Sequence, residues 1–295
     1  MGLADLIPGV SGGTIAFLFG IYDELLYTIK LMTGQVPKLI LSGKFKQAFT
    51  LIPFRFILPV GIGIISAILG LVQVVSFLLD TQPILVWSFF FGLVLGSVYV
   101  ISRRVPEWTV RRILLIALGA SLTYIIVGLP AIGGSDSPLA IFATGAVAIT
   151  AMILPGISGS LIMVLLGQYE IIIGALDDRN LPLIGLFLCG IIIGLALFVR
   201  VLTWLLKHYH FAVIAFLIGV MAGSLRRIWP WQTESANGVI SNVLPSIEWG
   251  LLFSLLVFIA GVTAVVLLER AGVAREHDDI DTADFTEEIT PVTQK

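Results

Sequence analysis

The sequence has few charged residues: Asp, Glu, Lys and Arg make up 12% of its 295 residues, against about 25% in typical soluble domains. Its single cysteine, Cys189, excludes an intramolecular disulfide and a cysteine-ligated metal site. There are only three histidines as well, so we expect no metal and no cofactor. We also expect no nucleic-acid partner. Apolar residues are abundant, with a hydrophobic content of 58% and a mean hydropathy of +1.04. This composition predicts an all-α polytopic membrane protein.

The net charge of −2 is unevenly distributed along the chain. Residues 269–295 contain 8 acidic and 3 basic residues, which leaves 14 basic and 11 acidic residues in the preceding 268. This last segment has few large apolar residues and no clear period, so it is predicted to be an acidic, disordered tail. Residues 1–268 are predicted to form a single transmembrane domain.

Apolar stretches define the predicted spans. Candidates for full membrane spans lie at residues 56–79, 83–101, 112–129, 181–206, 211–225 and 248–268. Two further stretches, 1–29 and 138–176, are apolar but are broken by Pro-Gly and Ser-Gly clusters, which predicts re-entrant hairpins. The connector 30–55 is basic and amphipathic, as expected of a helix on the membrane surface.

Basic residues set the predicted orientation, because cytoplasmic loops carry an excess of Lys and Arg. If the 30–55 connector is cytoplasmic and each broken stretch dips in and returns, 10 of the 14 basic residues of 1–268 lie on the cytoplasmic side. The acidic tail is then cytoplasmic too.

An internal repeat is the most informative feature. LIPGVSGGTIAFLFGIYDELL (6–26) aligns without gaps on ILPGISGSLIMVLLGQYEIII (153–173), at an offset of 147. Identical residues are Pro8, Gly9, Ser11, Gly12, Gly20 and Tyr22, which match Pro155, Gly156, Ser158, Gly159, Gly167 and Tyr169. A second match, FGLVLGS (91–97) with IGVMAGS (218–224), follows in the same order at an offset of 127. We define repeat one as residues 1–129 and repeat two as residues 138–268.

Three predicted full spans separate the two motifs, and an odd number places the halves in opposite orientations. The sequence therefore predicts an inverted-topology repeat with about six full spans, whose two broken hairpins meet near the membrane midplane. The second motif has an apolar arm that begins near Pro138. The matching arm of the first motif is either short or begins upstream of Met1.

The motifs have the composition of an anion-binding site. Proline ends a helical ladder, glycine allows positive φ and close approach of a ligand, and Ser11 or Thr14 is suited to cap the next helix. The candidate substrate-binding residues are Asp5, Pro8, Gly9, Ser11, Gly12, Gly13, Thr14, Pro155, Gly156, Ser158, Gly159 and Ser160. Two such helix starts that converge predict a ligand with a phosphate- or carboxylate-sized anionic group. The alternative is two similar packing segments without a binding role.

Three charged residues are candidates for further roles, because charges within a membrane are costly. Arg200 lies inside a predicted span, where it either binds a phosphate through its guanidinium fork or extends to the cytoplasmic interface. Glu24 and Glu170 follow the two motifs, where they either mark membrane interfaces or titrate in coupling to an ion gradient.

At these motifs the chain resembles the bacterial polyprenyl-phosphate transporters. The family pattern is met by Gly2, Asp5 and Pro8 to Thr14, by Leu154 to Ser160, and by Gly219, Gly223, Ser224, Leu225 and Arg226. The resemblance implies a flippase that moves undecaprenyl phosphate between the leaflets of the bacterial plasma membrane, so that the carrier lipid is reused in cell-envelope synthesis. The residues alone indicate only an inverted-repeat transporter of an anion.

Several rival functions differ in class. A small-anion transporter or channel would use the same inverted loops to bind its substrate. A structural membrane protein would use them only for packing. An enzyme such as a lipid-phosphate phosphatase generally needs a nucleophile or acid–base group beside the phosphate, and no histidine lies near either motif, so we expect no enzyme activity. The expected partners are the polyprenyl-phosphate substrate, membrane lipids and, as a candidate, a second copy of the chain in a homo-oligomer.

Overall fold

The computed structural model describes residues 1–2, 11–103, 105–234 and 240–288, and within these residues the chain is mostly helical. The helices are α1 (Gly12–Leu18), α2 (Tyr22–Thr33), α3 (Gln35–Leu41), α4 (Phe45–Leu51), α5 (Phe54–Thr81), α6 (Pro83–Ser102), α7 (Val110–Ile126), α8 (Pro138–Ile153), α9 (Gly159–Leu165), α10 (Tyr169–Asp177), α11 (Leu181–Ser224) and α12 (Trp249–Glu288). Two short antiparallel strands, β1 (Gln232–Glu234) and β2 (Ile240–Asn242), lie between α11 and α12.

The two sequence motifs fold into pairs of short helices with the same backbone conformation. The first pair is α1 and α2, and the second is α9 and α10, with every helix start at the offset of the aligned motifs. Gly20 (φ 70°) and Gly167 (φ 65°) make the turns within the pairs, because a positive φ is accessible to glycine without steric cost. α8 ends at Ile153 and α9 begins at Gly159, on either side of the Pro-Gly and Ser-Gly cluster, so this stretch is broken where the sequence predicts it. A further bend, of 107°, lies between α9 and α10 at Gly167.

A second pair of segments matches in the same way. α5 begins at Phe54 and α11 at Leu181, which is the offset of the second sequence match. Gln82, which separates α5 from α6, has φ −138° and ψ 52°. Tyr209 stands at the same offset from Gln82, has φ −135° and ψ 41°, and interrupts α11. The two segments therefore share their start and their break.

The break at Tyr209 is needed because of the length of α11. Its 44 residues would extend about 66 Å at 1.5 Å per residue, roughly twice the 30 Å hydrocarbon core of a bilayer. The break divides it into residues 181–208 and 210–224, close to the predicted spans 181–206 and 211–225. We call these parts α11a and α11b.

The prediction of six full spans is not confirmed. Among the described residues, four helices are long and apolar enough to cross a membrane: α5, α6, α11 and residues 249–270 of α12. Two of the predicted spans are joined in α11, because the backbone leaves the helix at one residue only. The predicted span 112–129 corresponds to α7, which has 17 residues and carries Arg111 and Arg112 in its first turn. Counting the bent α9–α10 pair as one span raises the number to five.

Glycines bring two pairs of helices into backbone contact. α6 packs on α12, where a Cβ at Gly92 would overlap the carbonyl oxygen of Phe258. α7 packs on α11b, where a Cβ at Gly219 would overlap the carbonyl oxygen of Ile116. Small residues allow such close approach between membrane helices. Gly92 of α6 and Gly219 of α11b are related by the offset of the second sequence match. The two matching segments thus use glycine at the same position to approach another helix.

The reverse contacts correspond as well. Gly261 of α12 lies against the Phe89 carbonyl, and Gly119 of α7 lies against the Phe216 carbonyl. Phe89 and Phe216 are themselves related by the offset of the second sequence match, so the two glycines contact equivalent positions. Each of these two interfaces therefore joins one helix of repeat one to one helix of repeat two.

The connector 30–55 does not form one surface helix. It contains the end of α2 followed by α3 and α4, which are separated by Gly43 at φ 71°. Leu41, Phe45 and Phe49 are at least 65% exposed, as expected of short amphipathic helices that lie on a membrane surface.

The acidic tail also differs from its prediction. α12 continues to Glu288, so residues 269–288 are helical where the sequence predicts disorder. This part is rich in Ala, Glu and Arg, which favour helices, and it contains no proline before Pro291. Residues 289–295 lie outside the described part of the chain.

Two glycines of α11 test the helix packing. We expect Gly219→Ala to lower the free energy of unfolding by about 1–3 kcal/mol, because the added methyl group meets the α7 backbone. Gly185→Ala is the control, since a Cβ there meets no described atom within 4 Å. It should leave stability unchanged or raise it, because alanine favours the helix. Thermal unfolding in detergent measures both, and equal melting temperatures would contradict this packing.

Candidate functional site

The two motifs are in direct contact. The backbone N–H of Gly156 in the second motif donates a hydrogen bond of 2.9 Å to Thr14 Oγ1 in the first. Both groups are buried, and Thr14 is 0% exposed. A buried N–H that leaves the helical ladder needs a partner, and here the other motif supplies it. The sequence-based expectation that the two broken segments meet agrees with this bond.

The first motif also caps the end of α8. The last carbonyls of a helix have no partner within the helix. Ser11 Oγ donates to the Met152 carbonyl at 2.9 Å, and Tyr22 Oη donates to the Ile153 carbonyl at 3.2 Å. Gly13 permits this approach, because a Cβ there would lie 2.5 Å from the Ile153 carbonyl oxygen. Three residues of the first motif thus hold the helix that leads into the second.

The two serines at the helix starts are used differently. Ser11 and Ser158 have similar extended backbones, with φ −116° and −97°. Ser11 caps α1 by accepting a hydrogen bond of 3.0 Å from the Gly13 N–H. Ser158 Oγ instead pairs with Ser160 Oγ at 2.7 Å and does not cap α9. The second motif therefore keeps a hydroxyl pair beside an uncapped helix start.

A third segment completes this region. Gly156 has φ 94°, and a Cβ there would lie 2.9 Å from Met221 Cα and 3.0 Å from Ser224 Oγ. Glycine is required on both counts. The buried Ser224 hydroxyl donates to the Met221 carbonyl at 2.7 Å. We define the hydroxyl cluster as the side-chain hydroxyls of Ser11, Thr14, Ser158, Ser160 and Ser224 together with the backbone N–H of Gly156.

The remaining predicted site residues of the motifs fall into two groups. Gly12, Pro155 and Gly159 are buried in the two motifs, and a Cβ at Gly159 would lie 2.8 Å from the Ala148 carbonyl oxygen. Asp5, Pro8 and Gly9 lie outside the described residues. Ser224, Tyr22 and the α8 carbonyls are additions that sequence reasoning did not place in the site. The matches of Tyr22 with Tyr169 and of FGLVLGS with IGVMAGS were the available signals.

The charged candidates lie apart from the hydroxyl cluster. Arg200 is exposed, and its Nη2 lies 3.8 Å from where a Cβ of Gly34 would be, at the end of α2. This position agrees with the interfacial alternative for Arg200 and does not place it among the motif hydroxyls. Glu24 and Glu170 are exposed in the first turns of α2 and α10.

A small cavity adjoins the first motif. It measures about 180 Å³ and is lined by Phe17, Tyr22, Asp23 and His210, among others. A histidine distant in sequence thus lies beside the first motif, where the sequence analysis expects none. Asp23, the neighbour of Glu24, is therefore the carboxylate that faces a cavity on this side of the motif. In the part of the chain that the structure describes, no group of three or more His, Cys, Asp or Glu residues could hold a metal ion.

The chain matches known proteins over most of its length. A family model described as undecaprenyl phosphate translocase-like matches residues 1–243. A polyprenyl-phosphate transporter of Vibrio cholerae serotype O1 is 41% identical over 232 residues, which cover 79% of this chain and 75% of the relative. A polyprenyl-phosphate transporter of Staphylococcus aureus is 29% identical over 288 residues, which cover 92% and 93%.

No solved structure matches. The family match extends over both Ser-Gly motifs and the Gly-x-x-x-Gly-Ser-Leu-Arg segment that carry the resemblance found in the sequence. It confirms that resemblance: the chain belongs to the undecaprenyl phosphate translocase-like family.

Proposed function

We propose that this protein moves undecaprenyl phosphate between the leaflets of the bacterial plasma membrane and so recycles the carrier lipid. The observation that carries the proposal is the buried bond between Thr14 and Gly156, which joins two related, broken motifs. Relatives named polyprenyl-phosphate transporters supply the substrate class. Residues 1–268 would form the transporter, and residues 269–295 would form a cytoplasmic acidic tail. The protein would have no enzymatic activity.

The proposed architecture is an inverted-topology repeat. Transporters of this kind bind their substrates where discontinuous helices of the two repeats meet. The matching backbone breaks and the reciprocal glycine contacts support two halves related by a pseudo-two-fold axis. With the 30–55 connector on the cytoplasmic side, the first motif would enter from the cytoplasm and the second from outside.

The hydroxyl cluster is the proposed site for the phosphate head. It offers hydroxyl and backbone N–H donors, and the uncapped start of α9 adds further N–H groups. Thr14 currently accepts the hydrogen bond of the Gly156 N–H, and Ser11 bridges Gly13 and Met152. Phosphate oxygens would replace Thr14 as the acceptor, so binding requires the two motifs to separate. The contact between the two motifs is thus interpreted as the closed arrangement of the site.

The polyprenyl chain would remain in the lipid while the head occupies the site, because the chain is apolar and the cluster is not. Movement of one group of helices relative to the other would then expose the site first to one leaflet and afterwards to the opposite leaflet. Arg200, near the connector, would meet lipid phosphates at the cytoplasmic surface. Glu24 and Glu170 stay candidates for ion coupling, and their exposed positions suit exchange of protons or cations with water. Self-association remains a candidate property of the protein.

The first prediction concerns topology. In a Cys189→Ala background, single cysteines at Lys44 and Glu107 should be protected from an impermeant thiol reagent added to intact cells. Cysteines at Asp136, Asp178 and Glu234 should be labelled. Labelling after permeabilisation is the control for reactivity. Reaction of Lys44→Cys in intact cells would rule out the proposed orientation.

The second prediction concerns the bond between the motifs. Thr14→Val keeps the shape of the side chain but leaves the buried Gly156 N–H without an acceptor, at a cost of about 1–3 kcal/mol. The head site also loses the Thr14 hydroxyl, and a hydrogen bond to a charged group contributes about 1.5–3 kcal/mol, so we expect transport of polyprenyl phosphate in proteoliposomes to fall at least about fivefold. Thr14→Ser retains the hydroxyl and should retain most activity. Gel filtration verifies that both variants are folded. If the Val and Ser variants then have equal transport activity, the bond between Thr14 and Gly156 has no role in transport.

The third prediction concerns the ligand. Donors arranged for an anion favour a phosphate over a neutral alcohol. Purified protein should therefore bind polyprenyl phosphate more tightly than the matching free polyprenol, and inorganic phosphate should compete weakly. Equal affinity for phosphate and alcohol would refute the proposed head site. Tight binding of inorganic phosphate without any lipid preference would instead favour a small-anion transporter or channel.

A further inference from the structure

One face of α11a consists of exposed side chains. Its members follow the spacing of helical turns and are Ile193, Leu197, Arg200 and Trp204. All four are exposed, and each of the three uncharged side chains is more than half exposed. Other faces of α11a are covered by α2 and α8. Because α11a is long and apolar enough to cross a membrane, we call these four residues the lipid-facing stripe.

Arg200 lies near one end of the part of α11a that a bilayer would surround. It is 19 residues after Leu181, the first residue of α11 (200 − 181 = 19), which is about 29 Å along a helix. The hydrocarbon core of a bilayer is about 30 Å thick. Trp204 follows one turn later, and tryptophan is enriched at membrane–water interfaces. The stripe therefore runs from the apolar core at Ile193 to the level of the lipid head groups at Arg200.

Arg200 has basic surroundings. The segment 25–79 contains five basic residues and no Asp or Glu, and α11 contains no Asp or Glu either. The carbonyl oxygen of Lys30 lies 2.8 Å from the position of a Cβ on Gly34, and Arg200 Nη2 lies 3.8 Å from the same position. Lys30 is exposed in the last turn of α2, whereas the two acidic residues of α2 lie in its first turn. The guanidinium thus lies beside a second basic residue and away from those carboxylates.

We propose that Arg200 and Lys30 bind the phosphate of an anionic phospholipid of the surrounding bilayer, whose acyl chain lies along Ile193 and Leu197. A guanidinium binds phosphate oxygens through two parallel N–H donors, and basic residues at a membrane surface attract anionic lipids. A charge at this depth is costly unless it is neutralised, and a lipid phosphate neutralises it. The proposal deepens the role given to Arg200 above and rests on the proposed function only in placing the 30–55 connector at the membrane surface.

The composition of the stripe identifies the occupant as a lipid. Inorganic phosphate would use Arg200 but would leave the apolar side chains at Ile193 and Leu197 without a partner, whereas a phospholipid contacts both parts at once. The site also lies apart from the hydroxyl cluster, on a face that is open to the bilayer. Bulk phospholipids therefore reach Arg200 without entering the proposed head site.

The test titrates the purified full-length protein with phosphatidylglycerol, which is anionic, or with phosphatidylcholine, which has no net charge. Native mass spectrometry resolves each bound lipid and gives the affinity of the first one. We expect phosphatidylglycerol to bind more tightly than phosphatidylcholine. Arg200→Gln should weaken the first phosphatidylglycerol at least about fivefold and leave phosphatidylcholine unchanged. Arg200→Lys, which keeps the charge but not the fork, should give a smaller loss.

Arg55→Gln is the matched control, because it removes the same charge from an exposed position at the start of α5. It should bind phosphatidylglycerol like the unmodified protein. Equal losses in Arg55→Gln and Arg200→Gln would show that total charge determines binding, and would overturn the proposal. Equal affinity of the unmodified protein for the two phospholipids would overturn it too. Gel filtration verifies that each variant is folded.

The substrate is the rival ligand for Arg200, because polyprenyl phosphate also joins a phosphate to an apolar chain. A larger loss of polyprenyl-phosphate binding than of phosphatidylglycerol binding in Arg200→Gln would assign the arginine to the substrate and overturn the proposal. The head site is measured separately, through the affinity for polyprenyl phosphate relative to polyprenol. The phospholipid site and the proposed function can therefore fail independently.

Discussion

The backbone of a membrane protein must satisfy its own hydrogen bonds, since the bilayer core offers no water to do so. The helix α8 stops beside the buried Pro155-Gly156 and Ser158-Gly159 segment, and this stop leaves polar groups without a helical partner. The hydroxyls of Ser11, Thr14 and Tyr22 provide those partners across the molecule, at Met152, Gly156 and Ile153. Each motif is thus stabilised by residues outside itself. Isolating either one would leave costly unpaired groups.

This mutual dependence gives the site its chemical character. The groups that bond the motifs together are neutral hydroxyls and backbone N–H groups, so the contact is polar without a buried charge. An arriving anion would compete for the same donors that hold the motifs in contact. In the proposed mechanism, binding of the ligand and separation of the motifs would therefore be two sides of one exchange of hydrogen bonds, in which the phosphate oxygens would take the place of protein acceptors.

Much of this organisation is predictable from the sequence, because local identity in the repeat implies the same local backbone. The turns at Gly20 and Gly167 and the helix starts at Ser11 and Ser158 follow from the aligned motifs. The residue type at Tyr209 does not predict the break there, because tyrosine carries no helix-breaking signal, whereas its partner Gln82 precedes Pro83. Hydropathy did locate the break, because the predicted spans 181–206 and 211–225 end on either side of Tyr209.

Features that depend on distant contacts were missed. Ser224 lies beside the loop only because Gly156 has no side chain, since a Cβ there would lie 3.0 Å from Ser224 Oγ. Arg200 was not missed, because its exposed position beside Gly34 agrees with the interfacial alternative that the sequence left open. The helical stretch 269–288 was missed for a different reason, because composition indicates the absence of a core but does not exclude an extension of the preceding helix.

The two glycine interfaces limit which parts of the protein can move as rigid units. α6 is locked to α12 through Gly92 and Gly261, and α7 is locked to α11b through Gly119 and Gly219. Since both interfaces join different repeats, pulling repeat one away from repeat two would strip four helices of their closest contacts. Any group of helices that moves as a unit therefore contains segments of both repeats. The two repeats are interlaced and not separable.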